Sequence, residues 1–145
     1  MAILTVFTPA YNRAHTLSRT YQSLKEQNCK DFVWLIVDDG STDNTIEVLN
    51  KWKEQNKLEW YKGKHLNVQF GFYDLMERAR TRDVDYLAFC DQDDVWDLDK
   101  LCIAVEKLEK LCNKSMPALY YCGQRLVDEN MKFIADHKLN KYRNL

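Results

Sequence analysis

Phe32 to Val37 reads FVWLIV, six apolar residues without a polar break, and Asp38-Asp39-Gly40-Ser41 follows at once. A strand with one face in water alternates apolar and polar residues; one that is apolar throughout is covered on both faces. Such a strand belongs to a sheet with helices above and below it. The rest of the chain supplies them, because short β-rich runs alternate with stretches of helical period.

Ile3–Pro9 is the first strand, rich in β-branched and aromatic residues and ended by a proline. Leu17, Tyr21 and Leu24 share one face of a helix that ends near Gln27. After the Phe32–Val37 strand, Asn44 and Glu47 fit a capping box. The helix it opens turns Ile46, Leu49 and Trp52 inward. Lys57–Lys62 is a short third strand, and Phe72, Leu75, Met76 and Ala79 form a third helical stripe. Val84–Cys90 is the fourth strand, and Leu101, Ala104, Val105, Leu108 and Cys112 make the clearest amphipathic helix. Ala118–Gly123 reads as a fifth strand, and Val127–Ile134 as a small hairpin around Asp128-Glu129-Asn130. This order predicts an α/β fold, with a parallel sheet, right-handed crossovers and helices on both faces. At 145 residues the chain is read as one domain over 1–145, with a real core and no room for a second.

In sheets of this kind ligands bind outside the carboxyl ends of the strands. Pro9-Ala10-Tyr11-Asn12-Arg13, Asp38–Asp43 and Asp91-Gln92-Asp93-Asp94 all follow strands, at the same edge. If the fourth strand lies beside the first, they surround one crevice.

Composition removes several function classes. Lys plus Arg (21) nearly balances Asp plus Glu (22), so no global field draws the chain to nucleic acid or an anionic membrane. No apolar run is long enough to span a bilayer, and the N-terminus lacks the basic region and cleavage site of a signal peptide. Five cysteines, none in a Cys-x-x-Cys pair, read as reduced thiols of the cytoplasm, with Cys90 as core filler. The phosphate-cradling glycine loops and the Gly-x-Ser-x-Gly elbow are absent. His15, His65 and His137 have no partner signature and read as surface or helix-end residues.

Five acids crowd Asp91–Asp99. Asp97 and Asp99 precede a strong helix, where carboxylates complement free N–H groups and the dipole; Asp43 and Asn44 read as caps too. Asp91 and Asp93, two apart, can project to one side. Without a cation they would raise each other's pKa. Either they form a solvated acidic loop, or a divalent ion joins them. Oxygen ligands with no suitably spaced His or Cys point to Mg²⁺ or Mn²⁺, whose open positions substrate phosphates fill. Asp38 and Asp39 can accept from a ribose hydroxyl or a base imide, or cap the Gly-Ser-Thr-Asp turn. Tyr11 offers an aromatic face for a base or for plain packing.

VFTPAYNRAHTLSRTYQSLKEQ, DFVWLIVDDGSTDNT and DYLAFCDQDDVWDLDKL, in this order and spacing, resemble the N-terminal half of family 2 glycosyltransferases of the GT-A (Rossmann-like) fold. The resemblance covers roughly residues 1–110, and LYYCGQRLVDEN looks like the family's next strand and loop. DQDDVW is similar to bacterial members that build cell-surface polysaccharides, rhamnosyltransferases among them. The resemblance implies a base cradle of Pro9, Ala10, Tyr11 and Arg13, with Asp39 on the base or ribose and Asp38 beside it. Asp93 would ligate Mn²⁺ or Mg²⁺ at the diphosphate, and Asp91 would help through the ribose or a metal-bound water. It further implies a UDP- or dTDP-linked sugar donor, a saccharide or lipid-linked acceptor, inversion, and work in the cytoplasm or at the inner face of the membrane. The family's general base lies in the second half of the domain, and no residue here matches it. Where many relatives carry an Arg-Asn segment, this chain has Asn67, Gly71, Phe72 and Tyr73. A chain ending at HKLNKYRNL reads as stopping short of the acceptor half, and an apolar surface left there would favour self-association. A nucleotide-binding or assembly module without activity is the rival reading. A phosphoacceptor receiver domain fits less well, since it needs an acidic pair where this chain has PAYNR.

Overall fold

The computed structural model describes residues 4–54, 58–111 and 116–137, in two compact units, Met1–Ile103 and Ala104–Leu145. In the first unit, β1 (Leu4–Ala10), α1 (Ala14–Glu26), β2 (Phe32–Asp38), α2 (Thr45–Lys53), β3 (Leu58–Lys62), α3 (Val68–Ala79) and β4 (Tyr86–Phe89) alternate along the chain. The sheet runs β3-β2-β1-β4 and every pairing is parallel. The fourth strand thus lies beside the first, as the single-crevice reading requires.

The unbroken apolar run of β2 is explained by its two coverings. Trp34 and Ile36 join Val6, Leu17, Leu24 and Leu49 in the core under α1 and α2. Leu35 and Val37 join Phe7, Leu75 and Ala79 under α3. Each fully buried side chain of this size contributes about 1.5–3 kcal/mol. Tyr21 stacks on Trp52 at 4.2 Å between ring centres, and both lean on Trp34, whose indole N–H donates to Thr8 Oγ1 at 2.9 Å. The second face depends on close approach. A Cβ on Gly71 would stand 2.8 Å from Pro9 Cβ, so only glycine lets α3 settle on β1. Gly71 is buried where the helical stripe predicted Met76, which is exposed.

Helix starts differ from expectation. The Asn44 side chain makes no capping bond, so the capping box does not form. Asp43 acts instead: its Oδ1 accepts from the Thr45 backbone N–H and hydroxyl, and its Oδ2 from the Ala14 N–H. One carboxylate thereby serves the first turns of α1 and α2. At α4 (Lys100–Leu111) the Leu101 N–H donates to Gln27 Oε1 at 3.1 Å, and Gln27 Nε2 reaches the Asp97 carbonyl at 2.7 Å. The Asp99 carboxylate accepts from Asn28 Nδ2, so a buried glutamine from the end of α1, rather than either acid, meets this N–H.

In the second unit, β5 (Gln124–Val127) and β6 (Phe133–His137) form an antiparallel hairpin. Asp128 Oδ1 accepts from the Asn130 and Lys132 N–H groups, both at 2.9 Å, and this fixes the turn. The predicted hairpin exists with strands displaced outward from its turn. The predicted strand Ala118–Gly123 does not form: apolar composition suited it, but no strand among the described residues pairs with it. Cys112, placed on the fourth helix, lies outside the described residues.

Candidate functional site

The carboxyl ends of β1, β2, β3 and β4 carry four loops, and hydrogen bonds stitch the first two together. Asn12 adopts the left-handed conformation (φ 49°), one of the few non-glycine residues at ease there. Its Oδ1 accepts from the N–H groups of Thr42 (2.7 Å) and Asp43 (3.3 Å), while its own N–H donates to Ser41 Oγ (3.0 Å). The Arg13 N–H donates to Thr45 Oγ1 at 3.3 Å. Burial pushes the Asp43 carboxyl up, but the hydrogen bonds from Thr45 and Ala14 outweigh it and hold it below the usual range. These bonds join the two loops into one edge.

Asp38 is fully buried. Its Oδ2 accepts from the Gly40 and Ser41 N–H groups and shapes the turn, while its Oδ1 is buried with no hydrogen-bond partner among the described residues. Asp39 is buried beside it. Its N–H donates to the Ala10 carbonyl at 2.8 Å, and its Oδ1 accepts from the Leu66 N–H at 3.1 Å. The imidazole of His65 meets the Asp39 carbonyl through Nδ1, and its ring centre lies 5.1 Å from that of Tyr11. A Cβ on Gly40 (φ 93°) would lie 3.0 Å from that nitrogen, so glycine is required twice over. His65 therefore belongs to this edge of the sheet, a position its lack of motif had hidden.

From the other side, the turn after β4 closes with the Asp94 N–H on the Asp91 carbonyl at 3.2 Å. Gln92 reaches across: its Oε1 accepts from the Tyr11 N–H at 2.8 Å. Asp39, His65, Tyr11 and Gln92 thus form a continuous chain of contacts, and Asp93 follows directly. Partial burial, then the charges of Asp94 and Asp93, push the Asp91 carboxyl up. Neighbouring Cys90 is buried, and burial raises its thiol well above the usual range, so it stays protonated and makes a poor ligand.

Of the residues picked from sequence, Tyr11, Asp39, Asp91 and Asp93 come to one edge of the sheet, Asp39 buried and the other three exposed. Pro9 and Ala10 are buried in β1 and form its floor, while Arg13 begins α1. Among the described residues no group of three or more His, Cys, Asp or Glu side chains converges to cage a metal. Asp91 and Asp93 offer oxygen donors, the ligand type that hard divalent cations take.

Residues 5–133 match the model of glycosyl transferase family 2. The chain belongs to that family. It is 35% identical over 112 residues to the amylovoran biosynthesis glycosyltransferase AmsB of Erwinia amylovora, covering 73% of this chain and 36% of AmsB. It is 31% identical over 134 residues to the dTDP-rhamnosyl transferase RfbG of Shigella flexneri, covering 82% of this chain and 44% of RfbG. The family 2 chain thus spans less than half the length of these curated relatives. Its fold matches that of the mannosyltransferase PcManGT from Pyrobaculum calidifontis, solved with GDP-Man and Mn²⁺. The TM-score is 0.63 at 25% identity, over 72% of this chain and 32% of that one. The sheet is that of the GT-A glycosyltransferases.

Proposed function

We propose that this family 2 chain holds the nucleotide-sugar of a metal-dependent, inverting transfer to a saccharide or lipid-linked acceptor in cell-surface polysaccharide synthesis, with UDP or dTDP as the leaving group. The carrying observation is the run of contacts from Asp39 through His65 and Tyr11 to Gln92, which joins an aromatic wall to a pair of acids along one edge. By likeness, RfbG supports a dTDP-linked donor, AmsB a polysaccharide product, and PcManGT a nucleotide-sugar with a divalent cation.

In this reading Tyr11 stacks on the base, Pro9, Ala10 and Arg13 complete its cradle, and Asp39 accepts from the base imide or the ribose. Asp38 holds the turn that presents Asp39. Asp93 and Asp91 hold the cation, which when bound neutralises charge on the departing diphosphate. The acceptor hydroxyl attacks the anomeric carbon from the face opposite the leaving group and must lose its proton to a carboxylate base. Among the described residues no helix is long and apolar enough to cross a membrane.

Calorimetric titration of UDP and dTDP, each with and without Mn²⁺, tests the reading. Binding should strengthen with Mn²⁺, and Asp93→Ala should remove that dependence while leaving the melting curve cooperative. An Asp93→Ala chain that responds to Mn²⁺ as the parent does refutes the assignment.

A further inference from the structure

The residue between the two acids has its own pair of anchors. Gln92 lies between Asp91 and Asp93 in the turn after β4. Its side-chain Oε1 takes the Tyr11 backbone N–H at 2.8 Å, and its main-chain carbonyl takes the hydroxyl of buried Thr20 at 3.2 Å. The amide orientation is fixed by chemistry, because a backbone N–H can only donate and so requires the oxygen. Eighty-one positions separate Tyr11 from Gln92, so no local propensity accounts for the bond.

Both anchors act on the same short turn. The Asp94 N–H closes that turn on the Asp91 carbonyl, and the Cys90 N–H ties the residue before it to the Phe7 carbonyl at 2.9 Å. The Thr20 hydroxyl pins its backbone from the α1 side, and the Tyr11 N–H pins its side chain from the β1 side. Tyr11 in turn faces His65, which meets the Asp39 carbonyl.

We propose that Gln92 is a positioning residue that couples the metal end of the pocket to its base end, so that each bound part of the ligand holds the loop needed by the other. This rests on the nucleotide-sugar reading given above. Gln92 touches neither base nor cation; it sets the distance between Tyr11 and the Asp91–Asp93 pair. A ligand that spans both, a nucleoside diphosphate with its cation, profits from the latch. A nucleoside alone or Mn²⁺ alone profits little.

Three variants separate this from a merely structural bond. Gln92→Leu keeps the bulk and removes the acceptor, Gln92→Glu keeps an acceptor oxygen, and Thr20→Val releases the carbonyl with little change in shape. In the ligand-free chain, hydrogen exchange at the Tyr11 amide should quicken in Gln92→Leu and stay slow in Gln92→Glu. UDP affinity is then measured with and without Mn²⁺. The factor by which Mn²⁺ tightens UDP should fall roughly three- to tenfold in Gln92→Leu, the size of one lost hydrogen bond, and fall also in Thr20→Val. Uridine affinity should change little. If Gln92→Leu only lowers the melting temperature and leaves the Mn²⁺ factor at the parent's value, the coupling role is overturned. A parent that binds no UDP sinks the functional reading itself, a result distinct from a parent that binds and a leucine variant that matches it.

Discussion

Replacing Asp91 by asparagine should stabilise the ligand-free chain and weaken the loaded one. Asp91 is held up by partial burial and by the charges of Asp94 and Asp93. The amide keeps the shape and removes the repulsion. Because the side chain is largely in solvent, the gain is that of a screened surface pair, about 0.5 kcal/mol. For a chain of this size that is a rise of roughly 2 °C in Tm, shrinking as salt is added. The pH dependence has a defined sign. A carboxyl raised in the folded state binds protons more tightly there than in the unfolded chain, so the parent is penalised at neutral pH and relieved as pH falls through the raised value. The gap between variant and parent should therefore close in acid. With Mn²⁺ and UDP at a hundredfold over Kd, the parent gains about 2.7 kcal/mol by mass action, and the variant should gain less. Differential scanning fluorimetry at low salt, with and without ligands, reads both effects. A ligand-free Asp91→Asn no more stable than the parent, or one that gains as much from Mn²⁺ and UDP, would refute the reasoning.

Other perturbations follow from the packing. Gly40→Ala places a Cβ 3.0 Å from His65 Nδ1 at a φ of 93°, and should cost about 1–2 kcal/mol in urea unfolding and weaken UDP binding. Gly71→Ala drives a Cβ to 2.8 Å from Pro9 Cβ and should cost about 1–3 kcal/mol by the same assay, through displacement of α3. Asp43→Ala removes a carboxylate serving two helix starts and should cost about 1 kcal/mol at pH 7. Its carboxyl is held low, so that stabilisation exists above the ordinary pKa and is lost as pH falls through the folded value. The variant's deficit should vanish in acid unfolding.

What could be read from sequence, and what could not, divides along the range of the interactions. The strands Leu4–Ala10 and Phe32–Asp38 were legible because burial on two faces leaves an unmistakable local record. The acids at strand ends were legible because the carboxyl-edge rule needs only strand order. Helix starts were less so: Asp43 and Asn44 both suit a cap, and which one bonds depends on how the loop after β1 lies against them. Ala118–Gly123 had strand composition but lacks a described partner, and pairing is what makes a strand. Gln92 and His65 were invisible for a different reason. Their bonds cross 81 and 26 positions, and a glutamine or histidine carries no sign of what it will meet. The edge rule, applied to the loop after β3 as to the others, would have pointed to His65.

The central claim is that the loops after β1, β2, β3 and β4 form one pocket for a nucleoside diphosphate and its cation. Amide resonances recorded during a titration with UDP and Mg²⁺, then with a trace of Mn²⁺, address it most directly. Shifts are expected at Tyr11, Asp39 and His65, with paramagnetic broadening centred on Asp91–Asp94. Shifts or broadening confined to the opposite end of the sheet, around Tyr21, Phe32, Trp34 and Leu58, where the structure has an apolar pocket, would contradict it.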